Sequence, residues 1–177
     1  MKTVALFGTS HSYQVPDSAE SEFRAAIEKA CLNRKIRSIG EEFCAQELIN
    51  RNIDVTICEQ IANRFGIPHR YCDLNDEERE KLGVRHENLI RSQGWLLGWE
   101  QERIEREVRA SHSIRERHWL YQILGLNCWP TLFVCGANHV LPFRKLLDAN
   151  GITVQVIESD WEPRRMKRRR AATHFES

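Results

Sequence analysis

Val4-Ala5-Leu6-Phe7-Gly8-Thr9-Ser10-His11 and Leu132-Phe133-Val134-Cys135-Gly136-Ala137-Asn138-His139 are the two stretches that decide how this chain folds. Each is a run of four apolar residues, a glycine, two small residues and a histidine. A short unbroken apolar run closed by glycine reads as a strand buried on both faces, and such strands belong to parallel sheets covered by helices. Ligands of an open parallel sheet bind in the crevice beyond the carboxyl ends of its strands, and glycine there lets backbone and ligand approach closely. Two histidines delivered to that edge predict one site assembled from distant parts of the chain.

Working outward, strands alternate with helical patterns almost throughout. Phe23, Ala26, Ile27, Ala30 and Cys31 recur at helical spacing behind Asp17 and Ser18, two candidate N-caps. Arg37–Gly40 reads as a second strand leading into Glu41-Glu42, followed by a helical turn through Leu48. Thr56 and Glu59 stand at capping-box spacing before a helix that ends at Gly66. Ile67–Cys72 reads as a third strand. A charge-rich, mostly helical stretch over 77–124 then precedes the strand Leu132–Cys135, the helix Val140–Ala149 and a last strand Ile152–Ile157. The expected fold is α/β, with a mostly parallel sheet, flanking helices and a helical insertion before the penultimate strand. One domain over 1–160 and a basic, disordered tail over 161–177 complete the expected organisation.

The bulk composition is that of a soluble globular protein: 177 residues, 41% hydrophobic, 29% charged. No apolar run reaches the roughly 20 residues that span a bilayer, and no leader-like segment precedes the first strand, so neither membrane insertion nor secretion is expected. Six cysteines (31, 44, 58, 72, 128 and 135) without close spacing read as reduced structural thiols, which suits a cytoplasmic protein. The net charge of +1 conceals an asymmetry, because residues 164–170 carry six cations and no anion. That run offers at most a weak contact to nucleic acid, since no aromatics interleave it. Trp95, Trp99 and Trp119 are candidates for a homodimer contact, a pocket wall or core.

Chemistry concentrates at the expected strand ends. Imidazoles with a carboxylate are a common ligand set for zinc, manganese, iron or cobalt, so His11, His139 and one of Glu41 and Glu42 are candidate metal ligands. Strand alternation lets only one of the two glutamates face the site; Glu41 is the preferred one. Asp73 closes the third strand and is either a catalytic carboxylate or a cap for 75–78. Arg115 and Trp119 share a helix face, as do His112 and Glu116. An arginine there suits a substrate anion or a developing oxyanion. Ser10 and Asn138, beside the histidines, are candidate substrate-binding groups. A serine nucleophile is disfavoured by the missing G-x-S-x-G elbow, and dinucleotide binding by the missing G-x-G-x-x-G.

In this order, Gly8-Thr9-Ser10-His11, Glu41/Glu42, Arg115-Glu116 and Gly136-Ala137-Asn138-His139 resemble the TIKI/TraB superfamily, a group that includes the erythromycin esterases and the ChaN-like haem-binding proteins. The resemblance spans residues 3 to 157. It implies an α/β fold and, in several branches, hydrolysis dependent on a metal or on a histidine–glutamate pair. It assigns His11 and His139 as metal-binding or catalytic histidines, Glu41 or Glu42 as their carboxylate, and Arg115 as the supporting arginine. The chain departs from the family in being short and in lacking the glutamate of the erythromycin-esterase first motif. The expectation is a divalent-metal-dependent hydrolase of an ester, lactone or peptide-like bond in a small molecule or peptide, with Glu41, Glu42, Asp73 and Arg115 as catalytic groups. The alternative is a non-catalytic haem, iron or small-ligand binder using the same crevice.

Overall fold

A computed structural model of the chain describes residues 1–16, 20–164 and 166. Five strands, β1 (Thr3–Thr9), β2 (Ser38–Glu41), β3 (His69–Tyr71), β4 (Thr131–Gly136) and β5 (Thr153–Trp161), form one sheet in the order β3-β2-β4-β1-β5. Every neighbouring pair is parallel. The helices are α1 (Glu20–Arg34), α2 (Ala45–Asn50), α3 (Ile57–Phe65), α4 (Asp76–Leu82), α5 (Glu87–Leu96), α6 (Gln101–Leu126) and α7 (Val140–Ala149). The fold is therefore α/β with an all-parallel sheet, and α4–α6 are the helical insertion before β4.

The strands alternate apolar residues to two separate layers. Ala5, Phe7, Ile39, Leu132 and Val134 pack against α1 and α3 through Phe23, Ile27, Ile57 and Ile61. Val4, Leu6, Phe133 and Cys135 point the other way, to Trp119 and Ile123 of α6 and to Val140, Phe143 and Leu147 of α7. Adjacent β1 and β4 thus send their following helices to opposite faces, α1 to one and α7 to the other. The point where they part is the topological switch of this sheet, and it opens a crevice at the carboxyl ends.

Local signals set most element ends. Thr56 caps α3 by accepting from the Glu59 N–H at 3.1 Å, and Gly66 closes that helix with φ +63°. α4 opens with a capping box between Asn75 and Glu78, so Asn75, not Asp73, is its cap. The expected caps Asp17 and Ser18 lie outside the described residues, as does most of the 164–170 run. The last strand runs past Ile157 to Trp161, and the Arg164 N–H donates to Glu22 at 3.1 Å. Trp119 is fully buried core, and Trp95 is 80% exposed. All six cysteines are free. Among the described residues no helix is long and apolar enough to cross a membrane.

Candidate functional site

Register brings the twin motifs together. β1 and β4 pair Gly8 with Cys135 and Thr9 with Gly136, so His11 and His139 leave neighbouring strand ends. Each sits in a short 3₁₀ turn, His11–Tyr13 after β1 and Ala137–His139 after β4. Glu42 arrives from the end of β2, the other neighbour of β4. Arg115 comes down from α6.

At the centre is the Glu42 carboxylate, whose side chain is 1% exposed. Its Oε2 accepts the Gly136 N–H at 2.7 Å. Its Oε1 accepts Arg115 Nη2 at 2.5 Å and lies 3.4 Å from His11 Nε2 and 3.5 Å from His139 Nε2. Burial pushes the carboxyl pKa up, but Arg115 first and the two imidazoles after it hold it well below the usual carboxylate range. Gly136 is small for a reason here: a Cβ at that position would lie 3.3 Å from Glu42 Oε2 and 3.6 Å from His11 Nε2.

The two histidines differ in their surroundings. His11, with a side chain 37% exposed, packs edge-on against Phe43 and meets the Gln14 amide at its Nδ1. Burial disfavours its cation, yet the Glu42 charge more than offsets this and raises its pKa above the ordinary value. His139 is only 6% exposed, and α6 encloses it. The His112 ring lies 4.3 Å from its ring, tilted by 55°, Trp119 lies edge-on at 4.8 Å, Glu116 bonds its Nδ1 at 2.8 Å, and Arg115 Nη1 is 3.5 Å from its Nε2. A carboxyl group on one ring nitrogen fixes the direction in which the other faces. His139 is therefore a buried anchor, and His11 is the imidazole at the mouth.

Asp73 is also placed here, but as a clamp. Its Oδ1 accepts from Arg115 Nε (3.0 Å) and Trp119 Nε1 (2.9 Å), and its Oδ2 from Arg115 Nη2 (2.7 Å) and Arg79 Nη2 (2.5 Å). Burial works against its charge, and Arg115 and then Arg79 outweigh it, so its pKa is lowered. With four donors on its two oxygens, this carboxylate holds Arg115 in place.

Three further candidates are placed as follows. Glu41 does not join the histidines: it lies on the α1/α3 face with Ile39, fully buried, where it accepts from Thr56 Oγ1 and meets His69 Nε2 at 2.7 Å. Glu42, one residue on, takes the opposite face. Ser10 is exposed and spends its hydroxyl on Ser12, bonding its Oγ at 3.0 Å. Asn138 is exposed and lies outside the cleft lining.

The cleft in front of Glu42 has a volume of about 360 Å³, and its walls include His11, Glu42, Asp73, Arg85, His112 and Arg115. Among the lining residues that sequence reasoning did not assign to the site are Glu87 and His112, which are bonded at 3.1 Å. The signal available was the i, i+3, i+4, i+7 series His112, Arg115, Glu116 and Trp119, a polar stripe along one face of α6. All four of its members touch His139.

The donor set, as arranged, does not fit a resident divalent ion. The single oxygen that both imidazole Nε2 atoms face, Glu42 Oε1, is held by the Arg115 guanidinium, whose charge stands where an ion would sit and would repel it. Among the described residues no group of three His, Cys, Asp or Glu side chains is arranged to hold a metal. Protein-family models, curated proteins and solved structures were each compared with the chain, and none matches it.

Proposed function

We propose that this chain is a hydrolase of an ester, lactone or peptide-like bond in a small molecule or peptide. It would act through the histidine–glutamate chemistry that the TIKI/TraB resemblance implies, with Arg115 in place of a metal ion. One observation carries the reading: a fully buried carboxylate, Glu42, gathers His11, His139, Arg115 and a backbone N–H at the switch point of a parallel sheet. Buried titratable groups with shifted pKa values, converging on a cleft, are the groups from which catalytic sites are built.

In this reading His11 is the reactive group. The Glu42 charge favours its protonated form, and it donates a proton to the atom that leaves the carbonyl carbon. Glu42 orients the imidazole and stabilises its cation. Arg115, fixed by Asp73 and Glu42, lends positive charge to the developing oxyanion. His139, Glu116 and Asp73 position that arginine and touch no reacting atom.

The test is turnover of a panel of activated esters, lactones and peptides by wild type, His11→Ala and Glu42→Gln, with folding checked by circular dichroism. Loss of about 10²–10⁴-fold in both folded variants is the expected result. Wild-type rates in both variants, or no turnover by folded wild type, would overturn the hydrolase. A Soret band on haem titration, lost in His11→Ala, would transfer the site to the ligand-binding alternative.

A further inference from the structure

Glu42–His11 is one of three carboxylate–imidazole pairs whose members line the cleft; of the others, Asp76–His86 is the longer, at 3.7 Å, and its side chains are 72% and 62% exposed. The third is Glu87–His112, with Glu87 Oε2 3.1 Å from His112 Nε2. It is built by α5 and α6 instead of strand ends, yet its members line the same cleft as His11 and Glu42. His112 is separated from the Glu42 cluster by one ring, since its own ring lies 4.3 Å from that of His139. Its side chain keeps 15% of its surface open to solvent. A carboxylate behind a cleft-lining imidazole is the arrangement that holds a general base in position.

Resting on the hydrolase reading above, we propose that His112, oriented by Glu87, is the general base of this cleft and takes a proton from the attacking water while His11 gives one to the leaving atom. The balance closes. The water O–H bond breaks and its proton passes to His112, while the oxygen's electron pair forms the bond to the carbonyl carbon. The bond from that carbon to the leaving atom then breaks, and the leaving atom takes the His11 proton. His112 ends protonated and His11 neutral, and both return to their starting states by exchange with solvent.

The charges around each imidazole fit these opposite roles. His112 faces Glu87 on α5, His139 after β4, and Arg115 and Glu116 on its own helix; Arg85 and His86 on the same wall are paired to Glu107 and Asp76. Burial, then the neighbouring His139, lowers its pKa, and Glu87 recovers only part of the loss. His11 faces Glu42, Glu47 on α2 and Arg115, and the balance there is upward. The surroundings favour the free base at the first imidazole and the protonated acid at the second. Two titratable groups driven apart in this way are the signature of an acid–base pair.

The test is the pH dependence of kcat/KM from pH 4.5 to 9 for wild type, His112→Gln, His11→Ala and Glu87→Gln, on the substrate of the panel that turns over fastest. Wild type should give a bell. His112→Gln should lose about 10²–10⁴-fold and its acid limb while keeping the alkaline limb; His11→Ala should do the converse. Glu87→Gln removes the carboxylate that holds the His112 pKa up, so its acid limb should move to lower pH, a shift that a merely structural glutamate would not cause. Glu87 is about one-third exposed, so this variant folds even if a change at His112 does not. Activity of His112→Gln within a few-fold of wild type, with the acid limb in place, overturns the base alone. No turnover by wild type on any substrate overturns the hydrolase reading and the base with it.

Discussion

Arg115→Ala is the substitution with the largest expected consequence. The guanidinium is bonded to Glu42 Oε1 at 2.5 Å and to Asp73 Oδ2 at 2.7 Å, and the two carboxylate side chains are 1% and 3% exposed. Removing it leaves two buried anions without their shared cation. Breaking a buried pair by deleting one partner costs about 3–5 kcal/mol. In a protein of this size each kcal/mol shifts Tm by about 2–4 °C, so a loss near 4 kcal/mol lowers Tm by roughly 8–16 °C at pH 7. The pH dependence carries the sharper test. In wild type both carboxyl pKa values lie below their unfolded values. Their contribution is therefore complete above the ordinary carboxylate range of about 4 and is lost as pH falls through the folded values. In Arg115→Ala the largest cause that lowers each pKa is gone, so both carboxyl pKa values rise from their wild-type positions, although Arg79 still faces Asp73 and the imidazoles still face Glu42, and the deficit shrinks as pH falls. Thermal unfolding of both proteins at pH 7.0 and 4.5 measures this directly. A loss below about 1 kcal/mol at pH 7, the value of a solvated surface pair, would refute the reasoning, as would a deficit unchanged at pH 4.5.

Gly8→Ala should cost about 3 kcal/mol, measured by urea unfolding, because its Cβ would lie 2.2 Å from the Ser159 carbonyl oxygen and 2.5 Å from Val140 Cγ2, and backbone must move. Gly136→Ala should separate stability from activity. Its φ of −58° accepts alanine, so unfolding should change by less than about 1 kcal/mol, while a Cβ 3.3 Å from Glu42 Oε2 shifts the carboxylate that orients His11 and lowers kcat/KM by about 10²-fold. Metal analysis of purified wild type should find no stoichiometric manganese, iron, cobalt or zinc, and turnover should survive chelation; one equivalent of any of them, lost in His11→Ala/His139→Ala, would return the site to a metal centre.

Much of this architecture is legible in the sequence because parallel strands buried on both faces leave an unambiguous mark. Leu132–Cys135 and Val4–Phe7 have no polar alternation, and their closing glycines and histidines point to the carboxyl edge. The choice between Glu41 and Glu42 is not legible in the same way. Alternation establishes that they part, with Ile39 and Glu41 on one face and Gly40 and Glu42 on the other, but both faces are buried and both are apolar. What decides between them is the side on which α6 returns to the sheet. That follows from a crossover set by residues far along the chain, and no local spacing encodes it. The Glu87–His112 pair is hidden for the same reason, since two helices of the insertion must pack before those side chains meet.

The same crossover explains why two nearly identical motifs yield unlike residues. In register Gly8 faces Cys135 while Gly136 faces Thr9, so the twins meet one residue out of step. After β1 the chain turns toward α1 on one face and leaves His11 at the crevice mouth. After β4 it turns toward α7 on the other face, beneath α6, and four side chains of that helix close over His139. A strand, a glycine and a histidine bring an imidazole to the edge of the sheet; the face taken by the next helix determines whether it is sealed or open. The sealed one holds the arginine that holds Glu42, and the open one is left free to exchange protons.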